Sequence, residues 1–275
     1  MKKLNFGQIG IVTRYELLKH MRSKRMLILM AITAFMALLI LILPPVLGNA
    51  YPNEAEEFMK LFAGFSQMLV ILTAVFFGSD AIISEYKNKT GYALFPQPVS
   101  KFTILMGKFA AAMIIGLMTV VLYYALCLIF MISMYSSYSV IHLVYSLLFT
   151  CWLLAGCVAV GFMFSSILRG VTESAIVTFF FFTMISGVVM MAMMTADTEP
   201  FFVISYIGDV TSYIVEDPYP TESQFGFEFQ GGDSFGDLSM QAQIPDVGVS
   251  TAVIGGYLVG CMAISAVLFN RKEMH

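Results

Sequence analysis

The stretch SEYKNKTGYALFPQPVSKFTILMGK, Ser84–Lys108, decides how this chain is organised. It is a short polar segment between two long apolar runs, Phe58–Ile83 and Phe102–Met134. A charged start leads into Tyr92–Phe95, which has an amphipathic pattern, and then into two prolines that would end a short helix. A loop that only connects two membrane helices needs no second amphipathic element. The pattern therefore indicates a surface on which another molecule docks.

Composition and run length predict an all-α integral membrane protein. The sequence is 59% hydrophobic and 12% charged, outside the range of soluble globular proteins. A bilayer core about 30 Å thick requires about 20 helical residues, and six runs reach that length. A large soluble helical core would need a polar stripe on nearly every helix, which these runs lack. The predicted spans are Met26–Leu47, Phe58–Ile83, Phe102–Met134, Ile141–Phe164, Ser174–Met194 and Val249–Phe269.

Basic residues concentrate on one side of the predicted bundle. Of the 15 Lys and Arg residues, 14 fall in the N-terminal segment, the 84–108 region, the connection at Arg169 or the C-terminal tail, and only Lys60 falls on the other side. The positive-inside rule therefore predicts a multi-pass plasma-membrane protein with both termini and the loop in the cytoplasm. Segment 1–25 is predicted to be a cytoplasmic amphipathic helix that lies in the lipid headgroup plane.

The connection between the fifth and sixth spans, residues 195–248, is predicted to form an acidic extracytoplasmic cap. Between Asp197 and Asp246 there are ten acidic residues and no basic one. A solvated acidic face is favoured over a calcium site, since no calcium-loop spacing is present. Four aliphatic residues at helical spacing predict a helix on the outer surface, and three alternating phenylalanines predict a strand. These residues are Val203, Ile207, Val210 and Ile214, and Phe225, Phe227 and Phe229, respectively.

Three segments, taken in order along the chain, resemble the ABC-2 type transporter permeases. The first cytoplasmic loop of that family has, in order, a glutamate, a threonine or glycine, a leucine and the sequence P-V-S-R/K, and it is followed by G-K. The resemblance covers the whole chain in topology, but specific sequence only at these segments. They are the elbow (Arg14–Leu17 and Met21–Arg25), the loop (Glu85, Thr90, Gly91, Leu94, Pro98–Lys101 and Gly107–Lys108) and the tail (Leu268–Glu273).

The resemblance implies a permease subunit, with domains 1–25, 26–194, 195–248 and 249–275, whose loop 84–101 forms a coupling helix seated on a separate ATP-binding subunit. That partner would bind ATP and Mg, and this chain would bind no cofactor or metal. Two ATP-binding subunits and a second permease, expected to be a copy of this chain, would complete the assembly. The implied ATPase-coupling residues are Glu85, Tyr86, Thr90, Gly91, Leu94, Phe95, Pro98, Ser100 and Lys101, and the elbow residues are Arg14, Tyr15, Glu16, Arg22 and Arg25.

The sequence offers no catalytic set, so the chain is not expected to be an enzyme. A P-loop requires G-x-x-x-x-G-K-[ST], but Gly107-Lys108 is followed by Phe109. ATP hydrolysis is therefore expected in a separate polypeptide.

Two ionisable residues lie at the predicted inner boundary. Asp80 ends the second span and Lys108 begins the third. A partly desolvated pair between them would stiffen the connection to the loop. Each side chain could instead reach the cytoplasmic interface separately, and both possibilities stay open.

Export is expected because relatives in the resembled family mostly export. Two alternatives remain. The first is an ATPase-linked module that does not transport, such as a mechanotransducer or a scaffold for an extracytoplasmic partner. The second is a copper-maturation type of permease, because Met190, Met191, Met193 and Met194 could offer soft sulfur ligands. Packing or lipid-facing methionine is favoured over metal binding, and no substrate follows from the sequence.

Overall fold

The computed structural model describes residues 6–46, 48, 51–87, 100–196, 198–220, 226–229, 238–241 and 244–271. Six of its helices are long and apolar enough to cross a membrane, which confirms the predicted all-α membrane fold. The spans are Lys24–Val46, Ala55–Glu85, Lys101–Met134, Val140–Ile167, Val171–Met193 and Val247–Arg271.

Two of the spans contain a π-helical turn, at Ala74–Gly78 in the second and at Phe181–Ile185 in the fifth. The helices are α1 (Phe6–Met21), α2 (Lys24–Val46), α3 (Ala55–Thr73), α4 (Ile83–Lys87), α5 (Lys101–Met134), α6 (Val140–Ile167), α7 (Val171–Phe180), α8 (Ser186–Thr195), α9 (Ile204–Gly208), α10 (Val210–Tyr213) and α11 (Val247–Arg271).

The second and fourth spans form the centre of the bundle, and the first, fifth and sixth are mostly exposed. Small residues allow the two central spans to touch backbone to backbone. A Cβ added to Gly161 would lie 2.8 Å from the carbonyl oxygen of Ala74, inside the π-helical turn, and 3.1 Å from the Cα of Gly78. Close approach through small residues is the usual way in which membrane helices pack.

A cluster of hydroxyl groups joins the central spans. The Tyr124 hydroxyl is 2.8 Å from both Ser146 Oγ and Thr150 Oγ1, and 3.4 Å from Ser66 Oγ. Ser146 Oγ also donates a hydrogen bond to the carbonyl oxygen of Thr211 in α10. Because polar groups in hydrocarbon need partners inside the protein, this cluster fixes the second, third and fourth spans against α10.

The first span ends at two prolines, Pro44 and Pro45. Proline has no N–H, so Pro45 leaves the carbonyl of Leu41, four residues earlier, without its helical donor. The Tyr51 hydroxyl donates a hydrogen bond of 2.8 Å to that oxygen. Tyr51 thus replaces the N–H donor that proline lacks, only ten residues after Leu41.

The aliphatic pattern at Val203–Ile214 does not form a helix on the outer surface, so that prediction is wrong. The structure has two short helices, α9 and α10, packed into the bundle, where Ile207 and Val210 are fully buried. Gln67 Nε2 donates a hydrogen bond to the Ser205 carbonyl, and Thr211 Oγ1 donates one to the Ala63 carbonyl. The apolar pattern therefore marks contact with the second span rather than with a surface.

Two short strands follow these helices. β1 (Gly226–Phe229) pairs antiparallel with β2 (Leu238–Gln241), and Phe227 lies opposite Met240. The predicted strand is confirmed for residues 226–229, and Phe225 lies outside the described residues. We call the end of the bundle with α1, α4 and the start of α5 the basic side, and the end with α9, α10 and the start of α11 the acidic side.

Candidate coupling site at the basic side

One buried ammonium group joins three elements at the base of the 84–101 loop. Lys108 Nζ in α5 lies 2.7 Å from Glu85 Oε1 in α4 and 2.6 Å from Glu16 Oε1 in α1. Only 2% of the Lys108 side chain is exposed, and 6% of the Glu85 side chain. Charge-assisted hydrogen bonds of this length are the strong ones in proteins. The elbow helix, the loop and the third span therefore meet at a single cation.

The elbow helix can approach the third span because Gly107 precedes this lysine. A Cβ on Gly107 would lie 2.7 Å from the Cβ of Val12 and 3.2 Å from the carbonyl oxygen of Ile9. Thr13 Oγ1 donates a 3.2 Å hydrogen bond to the Gly107 carbonyl. The missing side chain thus brings the two helices close enough for Glu16 to reach Lys108.

A second cation balances the charges of this network. Lys19 Nζ lies 3.3 Å from Glu16 Oε2 and 3.7 Å from Glu85 Oε1, so two ammonium groups face two carboxylates. Burial alone would raise the pKa of Glu16, but the charges of Lys108 and Lys19 outweigh it and lower that pKa below its ordinary value. We call Glu16, Lys19, Glu85 and Lys108 the ion cluster.

His20 packs beside the ion cluster. Its ring meets the Phe77 ring edge to face, with 5.1 Å between centroids. Burial is the largest effect on the imidazole and lowers its pKa to about 4, and the positive charges of Lys19 and Lys108 act in the same direction. Its Nε2 is 3.7 Å from Glu16 Oε2, a contact that carries opposite charges only when the imidazole is protonated.

The pair between Asp80 and Lys108, one of the two arrangements that the sequence left open, is not formed. Asp80 Oδ2 pairs with Arg25 Nη1, which also donates a 3.3 Å hydrogen bond to the Phe76 carbonyl, while Lys108 is held by the ion cluster. Phe76 lies in the π-helical turn, whose wider winding changes which carbonyls are bonded along the helix. Arg25, predicted as an elbow residue, therefore connects the first and second spans.

The far end of the loop is held by two of its predicted coupling residues. Ser100 caps α5, because its Oγ accepts a 3.1 Å hydrogen bond from the Thr103 N–H. Lys101 Nζ donates hydrogen bonds to the carbonyls of Phe269 and Asn270 at the end of α11, 3.4 and 3.2 Å away. Contact of either residue with an ATP-binding subunit stays a prediction.

The other predicted site residues divide into two groups. Arg14, Tyr15 and Arg22 are exposed on the elbow helix, and Tyr15 is 71% exposed. Ile11 and Leu18 are exposed beside Tyr15, and their spacing predicts that these three residues form the apolar, lipid-facing side of the amphipathic helix. The remaining loop residues, Thr90, Gly91, Leu94, Phe95 and Pro98, lie outside the described part of the chain, and Tyr86 is described only as part of α4.

Sequence reasoning missed Lys19, His20 and the packing role of Gly107. Spacing placed Lys19 on the polar face of the elbow helix, and spacing alone cannot show that this face meets the bundle. One signal was available. A glycine followed by a lysine at the start of an apolar run predicts a close helix contact next to a buried charge.

Comparison with protein families gives a match over nearly the whole chain. Residues 11–274 match the family described as ABC-2 family transporter protein. A comparison with curated proteins finds no match. Six apolar helices and a family match of this extent agree with each other, and this chain therefore belongs to the ABC-2 family of transporter proteins as a multi-pass membrane protein.

Proposed function

We propose that this chain is the permease subunit of an ATP-driven exporter, and that separate ATP-binding subunits drive it through the 84–101 loop. Family membership supports a permease, and the sequence carries no G-x-x-x-x-G-K-[ST] segment for holding nucleotide. The resemblance to relatives supports export, a homodimer and two ATP-binding subunits. The charge pattern supports a cytoplasmic basic side.

The observation that carries the proposal is the ammonium group shared by Glu85 and Glu16. Glu85 begins the loop, and Lys108 lies about two turns into the span that leaves it. A displacement of the loop toward or away from the bundle acts directly on this contact. The loop is thus held to the third span and to the elbow helix near its start, at Glu85.

The ion cluster is stiff enough to pass on a displacement. Removing one partner from a buried ion pair costs about 3–5 kcal/mol, so the cluster moves as a unit before it separates. Ser100 and Lys101 fasten the other end of the loop to α5 and α11. We infer that closure of the ATP-binding subunits tilts the third span and the elbow helix together.

Docking and transmission can be tested separately by purifying the tagged chain from native membranes. The wild-type chain is expected to co-purify with an ATP-binding subunit. Leu94→Asp places a charge on the predicted docking face and is expected to abolish this co-purification. Lys108→Met is expected to retain the partner but to lower permease-dependent ATP hydrolysis by about tenfold, within the usual range of coupling energies.

A triple variant separates lost coupling from lost folding. In Lys108→Met combined with Glu16→Gln and Glu85→Gln, no buried carboxylate is left without its cation, so thermal stability is expected to recover. Coupled ATP hydrolysis is expected to stay low, because the connection is still missing. Lys24→Met, at an exposed lysine on the same side, is the control. A wild-type chain that purifies without any ATP-binding subunit would refute the proposal.

A further inference from the structure

A cavity of about 590 Å³ opens at the acidic side, away from the ion cluster, between the start of α3 and the segment after α10. Charged groups and apolar groups line it at different depths. Glu57, Lys60 and Glu216 lie at its acidic-side end, and Leu61, Gly64 and Phe65 lie along the next turns of α3. Glu57 and Phe65 are about 12 Å apart along the helix axis. A gradient of this kind matches a molecule with a charged head and an apolar tail.

The charges of the cavity favour a positive head. Lys60 Nζ pairs with a Glu216 carboxylate oxygen and lies 4.9 Å from the centre of the Tyr213 ring. Glu57 forms no ion pair with any residue in the described part of the chain, so one carboxylate of the lining remains uncompensated. The segment from Asp197 to Asp246, which joins the fifth and sixth spans, adds ten acidic residues and no basic one, a charge that attracts cations.

The apolar part of the cavity is an exposed stripe on a central span. Leu61 and Phe65 line the cavity, are 46% and 37% exposed, and lie four residues apart on one face of α3. Nothing lies within 4 Å of the position that a Cβ on Gly64 would occupy. The glycine therefore leaves open space between the charged end and the aromatic ring, where an alkyl chain would lie.

We propose that this cavity binds a cationic amphiphile, an alkyl chain that carries an amine or a quaternary ammonium group. The ammonium group sits against Glu57, and the chain lies along Leu61, Gly64 and Phe65. The carboxylate of Glu57 attracts an ammonium group through its opposite charge. That the bound molecule is cargo rests on the transport function proposed above. The binding itself does not.

Binding is tested with purified chain in nanodiscs of neutral lipid, with no ATP-binding subunit present. The probe is tritiated dodecyltrimethylammonium, and the signal of empty nanodiscs is subtracted. Saturable binding is expected. Unlabelled probe is expected to compete better than dodecylphosphocholine, whose head is zwitterionic, and much better than dodecanoate, whose head is negative.

Two substitutions test the apolar part and the charged end of the cavity separately. Gly64→Leu fills the open space and is expected to weaken binding by about tenfold or more. Glu57→Gln removes the uncompensated charge and is expected to weaken binding by up to about fivefold, the upper end of the range for an exposed ion pair. The matched controls are Gly256→Leu, where the added side chain also meets open space, and Glu54→Gln, an exposed carboxylate outside the lining. Both are expected to bind like wild type.

Three outcomes would overturn the proposal: no saturable binding, competition by dodecanoate equal to that of the cation, or unchanged binding in Gly64→Leu. The first is also the result expected if a second copy of the chain covers the cavity. None of them bears on ATPase coupling, which the Lys108 variants measure. Conversely, loss of coupling in those variants leaves the binding measurement intact, so the two proposals fail separately.

Discussion

At the scale of single residues, His20 is a buried group whose protonation would destabilise the folded state. Its imidazole is buried against Phe77, and its nearest charges include both ammonium groups of the ion cluster. The negative charges of Glu16 and Asp80 favour protonation, but burial dominates, and the pKa falls from 6.5 to about 4. The folded protein therefore keeps this histidine neutral at pH 5, where an unfolded chain would protonate it.

We expect stability to fall as the pH falls from about 6.5 to 4. The folded pKa is the lower one, so the unfolded chain takes up the proton first, and stability is complete only above pH 6.5. When the pH has fallen below both pKa values, the difference between them lowers the free energy of unfolding by about 3 kcal/mol. The measurement is the thermal unfolding midpoint in detergent at pH 7.5 and at pH 5.0, for wild type and His20→Gln. The unfolding midpoint of the variant is expected to fall less between pH 7.5 and pH 5.0 than that of wild type.

Glu16 provides an internal check on that measurement. Its pKa is lowered as well, so its contribution is lost only as the pH falls below its ordinary value of 4.5. Burial raises the pKa of Asp209 to about 7, so this carboxyl also titrates between pH 5 and 6.5. Asp209 is present in both proteins, and the difference between wild type and His20→Gln therefore isolates the histidine. If wild type and His20→Gln lose the same number of degrees between pH 7.5 and 5.0, the neutral buried imidazole is not what makes the protein sensitive to acid.

Residue pairing was the part of the site that the sequence predicted least well. Sequence spacing shows only that Asp80 and Lys108 lie at a similar depth, near the predicted inner boundary of two consecutive spans. Which partner each takes depends on how the helices are rotated, and the elbow helix brings Glu16 into the same space. Composition did show that charges near hydrocarbon would be paired. It could not show that the partner of Asp80 is Arg25.

At the scale of elements, the contact between the elbow helix and the third span depends on Gly107. We expect Gly107→Ala to push α1 away from α5, because the new Cβ would lie 2.7 Å from the Cβ of Val12, an atom fixed to the helix backbone. Overpacking of this kind costs about 1–3 kcal/mol. Hydrogen exchange of residues 6–21 is expected to accelerate, and the unfolding midpoint to drop. Gly256→Ala, with nothing within 4 Å, is the control. Equal exchange in both variants would contradict this packing.

The existence and order of the spans were predictable because a run of about 20 apolar residues has few other uses. The third span ends at Met134, as predicted, and the others differ from prediction by a few residues. The π-helical turns left no signal in the sequence. The turn at Ala74–Gly78 lies against Gly161 of another span, and a contact between distant segments of backbone cannot be read from residue spacing. The helices α9 and α10 show a related limit. Periodicity identified an apolar face but not whether lipid or protein covers it.

At the scale of the whole molecule, the ionic features lie at opposite ends of the bundle. The ion cluster and the Arg25–Asp80 pair are at the basic side, and the Lys60–Glu216 pair is at the acidic side. Between them, the second span passes from the cavity at Glu57 to the loop at Glu85. A displacement at the loop can therefore reach the cavity along one element, which connects the two proposals structurally.

This arrangement requires the basic side to face the cytoplasm, where ATP is available. We expect Lys24→Cys, on the basic side, to resist a membrane-impermeant maleimide in intact cells, and Thr198→Cys, on the acidic side, to react. Both native side chains are exposed, so access depends on the side of the membrane and not on burial. Wild-type chain is the background control, because its four cysteines lie within the spans. After permeabilisation both variants should react. Labelling of Lys24→Cys but not Thr198→Cys in intact cells would invert the topology, and would place the 84–101 loop where no ATP-binding subunit could reach it.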